Sequence, residues 1–350
     1  MDLQLTKEQQ FLRETVGEMT RREAGDQPAV PPEAAERLWR SLAEFGALEV
    51  GEGLGAVELA LVAETLGRRL APVPYPESAA AHDTLARAGR PLDPAGATVA
   101  ACLAEPGRSF APAEPSTTFE RGRLVGEKSD AAFAATAELL AVPAAGADGL
   151  VLALLARESA GVATWPEPTL DPSLRPARIV LESVEPPEDA VTHRGAELVP
   201  RLAAVAGILA SAEAVGAAAA VLELARVYAT QRRQFGHTIG SFQAIRHLLA
   251  DMYVNVESSW SSVLYAAASV DEDQDGSLLT ASIAKAYAAR ATRAVAHGAL
   301  QVFGGIAFTA EHPAHRFLRR IVARGEQFGT ARDHERALGR ALAERLQVPA

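Results

Sequence analysis

Cysteine is almost absent from the 350 residues, and Cys102 stands alone. No disulfide can close within the chain, which leads to the expectation of a cytoplasmic protein. Aromatic residues are scarce, at 5%, while alanine is everywhere; small side chains on long helical runs suggest close helix–helix contacts. Basic residues are outnumbered, 34 Lys and Arg against 44 Asp and Glu, for a net charge of −10. Nucleic-acid binding needs a basic footprint, and none is present. No apolar run approaches the ~20 residues of a membrane span. The opening MDLQLTKEQQFLRETV carries acids and lacks an apolar core segment, so it does not read as a signal peptide. What is there, 48% hydrophobic and 22% charged residues, is the balance of an ordinary globular protein long enough for two or three domains.

The texture of the chain changes twice. Residues 1–95 read as helices: Leu12, Val16 and Met19 recur at helical spacing, Thr6 is placed to cap with Gln9 at the capping-box position, a second helix stops at Gly46, and a third ends near Pro72. Residues 96–193 hold short apolar runs (ATVAACLAE, LLAVPAA, GLVLALLA, PARIVLESV) separated by Gly, Pro and Asp, the pattern of a small β domain, with ARESAGVATW as a polar turn. Residues 194–350 are helical again. The first long helix there has no proline after Pro200. Ser241 is placed to cap the next, which carries Phe242, Ile245, Leu248, Leu249 and Met252 on one face. A third spans about 277–302 and a fourth follows Pro313. The expected fold class is α+β: a helical domain, a β domain, and an antiparallel four-helix bundle.

Several motifs fail for lack of context. GEGLGA (51–56) fits a relaxed dinucleotide fingerprint, but helices flank it where a strand should precede; an inter-helix loop is the plainer reading. DEDQDG (271–276) opens like a calcium loop, yet its twelfth position is Ser282 rather than a bidentate glutamate. His312 and His315 are separated by Pro313 and lack a third ligand for zinc. No G-x-S-x-G elbow is present.

QRRQFGHTIGSFQAI, from Gln231 to Ile245, is different. Arg232 and Arg233 suit phosphate oxygens in a fork geometry, with donors from Gln234 and the backbone near Gly236. The same residues equally describe a basic helix end around a packed Phe235. A second stretch, QVFGGIAFTAEHPAHRFLRR (301–320), favours the ligand: Gly304 and Gly305 let a backbone approach closely, and Gln301 can hydrogen-bond it.

Together the two stretches resemble the acyl-CoA dehydrogenase family. Its bundle carries an R-x-Q/T-F-G…I…Q corner, matched by Arg232, Gln234, Phe235, Gly236, Ile239 and Gln243. Its Q-x-x-G-G…E-x-P…R segment is matched by Gln301, Gly304, Gly305, Glu311, Pro313 and Arg319. LTKEQQFLRETV, WRSLAEFGAL, ELALVAETLGRRLAPVPY, ACLAEP and LVGEKSDAAF extend the likeness over the chain. The resemblance implies FAD as cofactor, an acyl-CoA substrate, α,β-dehydrogenation with a glutamate removing the α-proton, oligomerisation, and an electron-transfer flavoprotein as acceptor. A carboxylate tuned upward by burial suits that base. The two segments, with Phe242 and Thr330, are expected to grip the ADP half of an FAD belonging to a neighbouring subunit.

Both positions at which the family places its base are empty. The E-G-T triplet reads Phe328–Gly329–Thr330, and the first-helix alternative falls on Ala206. Glu326 and Glu213 are the nearest carboxylates. Asp130 and Ala132 stand where a Trp and a Thr pack against the flavin ring. The likeness is therefore to the base-lacking subunit of heteromeric α2β2 members, with a related subunit as partner; a displaced base or an inactive scaffold are the other readings.

Overall fold

The first helix begins where local chemistry dictates. In the computed structural model, which describes residues 4–25, 27–49, 54–92 and 96–346, the Thr6 hydroxyl accepts from the Gln9 N–H and the Gln9 side chain accepts from the Thr6 N–H. The capping box closes and α1 (Lys7–Ala24) follows. Then come α2 (Ala35–Glu44) and α3 (Ala56–Gly67). A further helix, α4 (Tyr75–Arg87), is not announced by periodicity. Its small residues are alanines, and its polar residues Glu77, Ser78, His82, Asp83 and Thr84 are buried. The N-terminus of α3 is capped from far along the chain: the Asp271 carboxylate accepts from the Ala56 and Val57 N–H groups at 2.7 and 3.1 Å. Asp271 is thus a helix cap, and no metal-holding cluster is present among the described residues. Residues 51–53 of the GEGLGA run lie outside the described residues.

Eight strands follow: β1 (Val99–Ala101), β2 (Thr118–Glu120), β3 (Arg123–Ala131), β4 (Leu139–Gly146), β5 (Gly149–Ala156), β6 (Val162–Pro166), β7 (Ala177–Val184) and β8 (Val191–Thr192). They form one sheet in the order β6-β7-β3-β2-β4-β5-β8, with β1 parallel to β4. Half of the expected polar turn ARESAGVATW is in fact strand: β6 pairs with β7 from Val162 to Pro166. Lys128 on β3, fully buried, sits 2.7 Å from Glu105, which also takes hydrogen bonds from Ser116 and Thr117. Burial alone would raise the Glu105 carboxyl; these donors hold it well below the usual carboxylate range instead.

The C-terminal helices are α5 (Gly195–Gln231), α6 (Gln243–Asp271), α7 (Ser277–Phe303), α8 (Ala314–Glu326) and α9 (Ala331–Leu346). The fourth helical stretch is therefore two helices, parted at Gln327–Thr330, where Phe328 and Gly329 take φ of 56° and 96°. Phe242, not Ser241, is the N-cap residue of α6; the Ser241 hydroxyl donates to Thr238 O. Against the sequence reading, α5 is long and apolar enough to cross a membrane, but 83% of its most apolar window is buried within the protein. It packs on α3, α4, α6, α7 and α8. Small residues permit this: a Cβ added at Gly216 would lie 1.9 Å from Glu64 O, and one at Gly67 would lie 2.1 Å from Glu213 O.

Candidate functional site

The corner after α5 is built by a tight turn. Arg233–Gln234 (β9) pairs with His237–Thr238 (β10), and Phe235 and Gly236 between them both have positive φ, 52° and 80°, as a two-residue hairpin of type I′ requires. The Arg233 guanidinium donates to Gly236 O at 2.9 Å and the Gln234 amide to Arg233 O at 2.8 Å. Those two groups brace the turn. The Arg232 guanidinium, exposed, has no hydrogen bond or ion pair among the described residues. Phe235 is 90% exposed. It is not the packed core residue of a plain helix end, and its ring stands edge-on to that of Phe242 with centroids 6.4 Å apart. Gln243 is exposed as well.

The second segment lies at the same end of the bundle. Tyr228, near the end of α5, packs on Phe303 at the end of α7 with ring centroids 5.4 Å apart. Phe303 in turn packs on His312 at 4.4 Å. Gln301 is exposed on α7, and Gly304 takes φ of 66°. A Cβ at Gly304 or Gly305 would meet nothing within 4 Å. The backbone at Gly304–Gly305 is thus open at the same end of the bundle as Arg232, whose guanidinium has no partner among the described residues. Thr330 is differently occupied: its hydroxyl donates to Asp333 at 2.7 Å and accepts from the Asp333 N–H, capping α9.

The positions for a base are without a carboxylate. Ala206 is fully buried and Phe328 nearly so. Glu326 is about half-exposed and ion-paired with Arg293. Glu213 is buried, but it is gripped by two buried guanidiniums, Arg320 and Arg324. Arg320 also binds Asp171 at 2.6 Å and Ser173 at 2.6 Å; Arg324 also binds Glu77 and Gln327. Burial alone would raise Asp171, yet Arg320 holds it low; burial raises Glu77 despite Arg324. Nothing in the sequence near residue 320 announced this buried network, whose acids Glu77, Asp171 and Glu213 come from three distant segments.

Asp130 and Ala132 stand at the positions where the resemblance places residues against a flavin ring. Ala132 is buried with Phe133 and Leu174, against Ala323 of α8. Asp130 is exposed. The chain around it and the neighbouring Glu167 push its carboxyl up to about 6.

Residues 193–342 match the family model described as the acyl-CoA dehydrogenase C-terminal domain. The chain is 31% identical to acyl-CoA dehydrogenase IpdE2 of Mycobacterium tuberculosis, over 90% of this chain and 91% of that one. The chain belongs to the acyl-CoA dehydrogenase family. Members are oxidoreductases acting on acyl-CoA. It is also 30% identical to acyl-CoA dehydrogenase FadE27 of the same organism, covering 88% of each. Its fold matches one chain of the solved ChsE4–ChsE5 complex from M. tuberculosis with a TM-score of 0.87 at 26% identity, covering 100% of this chain and 100% of that one.

Proposed function

We propose that this chain is the subunit without the catalytic glutamate in a heteromeric acyl-CoA dehydrogenase. It offers Arg232, Gln234, Phe235, Phe242, Gln243, Gln301, Gly304 and Gly305 to the ADP half of an FAD whose ring rests on a related partner. The observation that carries this reading is an asymmetry. The outward corner is exposed, with Arg232 unpartnered, while both base positions are apolar and the nearby acids are tied in ion pairs. The resemblance to ChsE4–ChsE5, itself a complex of two chains, supports it. Hydride acceptance is the chemistry FAD supplies when bound. This chain's own residues bind and orient: Arg232 neutralises pyrophosphate charge, the glycines admit it closely, and Phe235 covers it from water. The partner supplies the base that takes the α-proton of the acyl-CoA, and an electron-transfer flavoprotein takes the electrons.

Thr330, spent on capping α9, contributes to the loop rather than to the cofactor. A displaced base at Glu326 is disfavoured by its pairing with Arg293. Substituting Arg232→Ala in the co-expressed complex separates the readings. Loss of both flavin and activity is expected here. Full flavin and activity with the variant would point to a scaffold subunit and refute the shared site.

A further inference from the structure

We propose that a cleft away from the flavin corner, between α2 and the loop over 133–138, binds a small molecule with an apolar body and a single carboxylate. The cleft encloses about 490 Å³, the size of an ordinary ligand site. Trp39, Val73 and Phe133 supply its apolar walls. The Trp39 indole N–H donates to Gly96 O at 3.0 Å, which fixes the ring as a wall.

Two residues lining this cleft hold a backbone conformation their side chains resist: Phe133 at φ 59° and Arg175 at φ 45°. Bulky residues at positive φ are uncommon, and such strain persists where the surroundings enforce it and gathers at ligand clamps. A hydrogen bond couples the two sites, from Phe133 N–H to Leu174 O at 2.8 Å.

The charges choose the ligand. Arg40 and Arg175 are exposed at the rim, and neither guanidinium has a hydrogen bond or ion pair among the described residues. Of the two carboxylates there, Glu138 is engaged by the Thr98 N–H at 2.8 Å and its hydroxyl at 3.3 Å. Glu36, one turn before Arg40, has no hydrogen bond or ion pair among the described residues. Glu36 and Glu138 balance Arg40 and Arg175 in formal charge, but neither guanidinium is ion-paired with them, so each keeps a fork free for one carboxylate, while a phosphate dianion would overload a rim of zero net charge. A flat ring between Trp39 and Phe133 fills the apolar part.

Isothermal titration of the full chain with 1-naphthoate, and with neutral 1-naphthamide as control, tests this. One saturable naphthoate site per chain is expected, weakened tenfold or more by Arg40→Gln and by Arg175→Gln, with naphthamide binding weakly and equally to all variants. Arg175→Gly removes the charge while relieving the backbone, so the same weakening there excludes misfolding as its cause. Equal naphthoate binding by the native chain and the variants would mean an adventitious additive only and overturn the proposal, as would no saturable binding at all. Flavin content of the co-expressed complex should be unchanged by these substitutions; its loss would show the cleft to be part of the cofactor site instead.

Discussion

Replacing Arg324 by methionine should expose the logic of the buried network. Arg324 is fully buried between Glu77 and Glu213, themselves buried. Glu213 keeps Arg320, but Glu77 has no other ion-pair partner among the described residues. Arg324→Met therefore strands one buried carboxylate, a change worth about 3–5 kcal/mol. With an unfolding entropy near 2.1 cal/mol/K per residue, that is a drop of about 4–7 °C if the chain melts as one unit. The loss has a pH signature. Glu77 already has its pKa raised by burial, and losing the guanidinium raises it further. A group with a raised folded pKa favours the fold below its unfolded pKa, near 4.3, and that contribution fades as pH rises through the folded value. The variant should thus lose more against the native chain at pH 8 than at pH 5, and Glu77→Leu added to Arg324→Met should recover part of the loss. Differential scanning calorimetry between pH 5 and 8 reads all of this. A melting point unchanged at pH 8, or a double variant less stable than the single one, would refute the reasoning.

Other expectations follow from single contacts. Lys285, buried, donates to Arg324 O and Gly325 O at 2.7 and 2.9 Å, and burial pulls its amine down to about 7. A lysine with a depressed folded pKa adds stability as pH rises from about 7 towards 10, so the native chain should gain on Lys285→Met over that range; a pH-independent difference in melting point would count against it. Asp271→Ala should cost about 1–2 kcal/mol in a urea melt through loss of the α3 cap, with a smaller loss for Asp271→Asn; equal stability of native and Ala chains would contradict the assignment. Burial pushes the Cys102 thiol up to about 12, so it should resist thiol reagents at pH 8 in the native chain and react after denaturation.

What could be read from the sequence was what local chemistry decides. The Thr6–Gln9 capping box is complete within four residues, and the Arg232–Gly236 corner is contiguous, so both are visible in one dimension. The residues of α4 hid because Glu77, His82 and Asp83 look like a solvated stretch when their partners are unseen; Arg201 and Arg324, which pair with Asp83 and Glu77, lie more than a hundred residues away. Asp271 resembled a metal ligand for the same reason, its hydrogen-bond donors being 214 and 215 positions distant. Glu213, a conceivable base in sequence, is seen to be held by two guanidiniums only when Arg320 and Arg324 are placed beside it. The boundary after Glu326 was passed over although Gly329 marks it, because the turn also places Phe328 at positive φ, and phenylalanine gives no such signal.

The central claim concerns a cofactor site shared between unlike subunits, and flavin absorbance tests it most directly. The chain should be purified alone and then co-expressed with a related dehydrogenase subunit that carries the glutamate. A colourless chain that gives one FAD per pair on co-expression, lost again with Arg232→Ala, is the predicted result. One FAD bound per chain in the isolated protein, with acyl-CoA dehydrogenase activity and no partner, would contradict it.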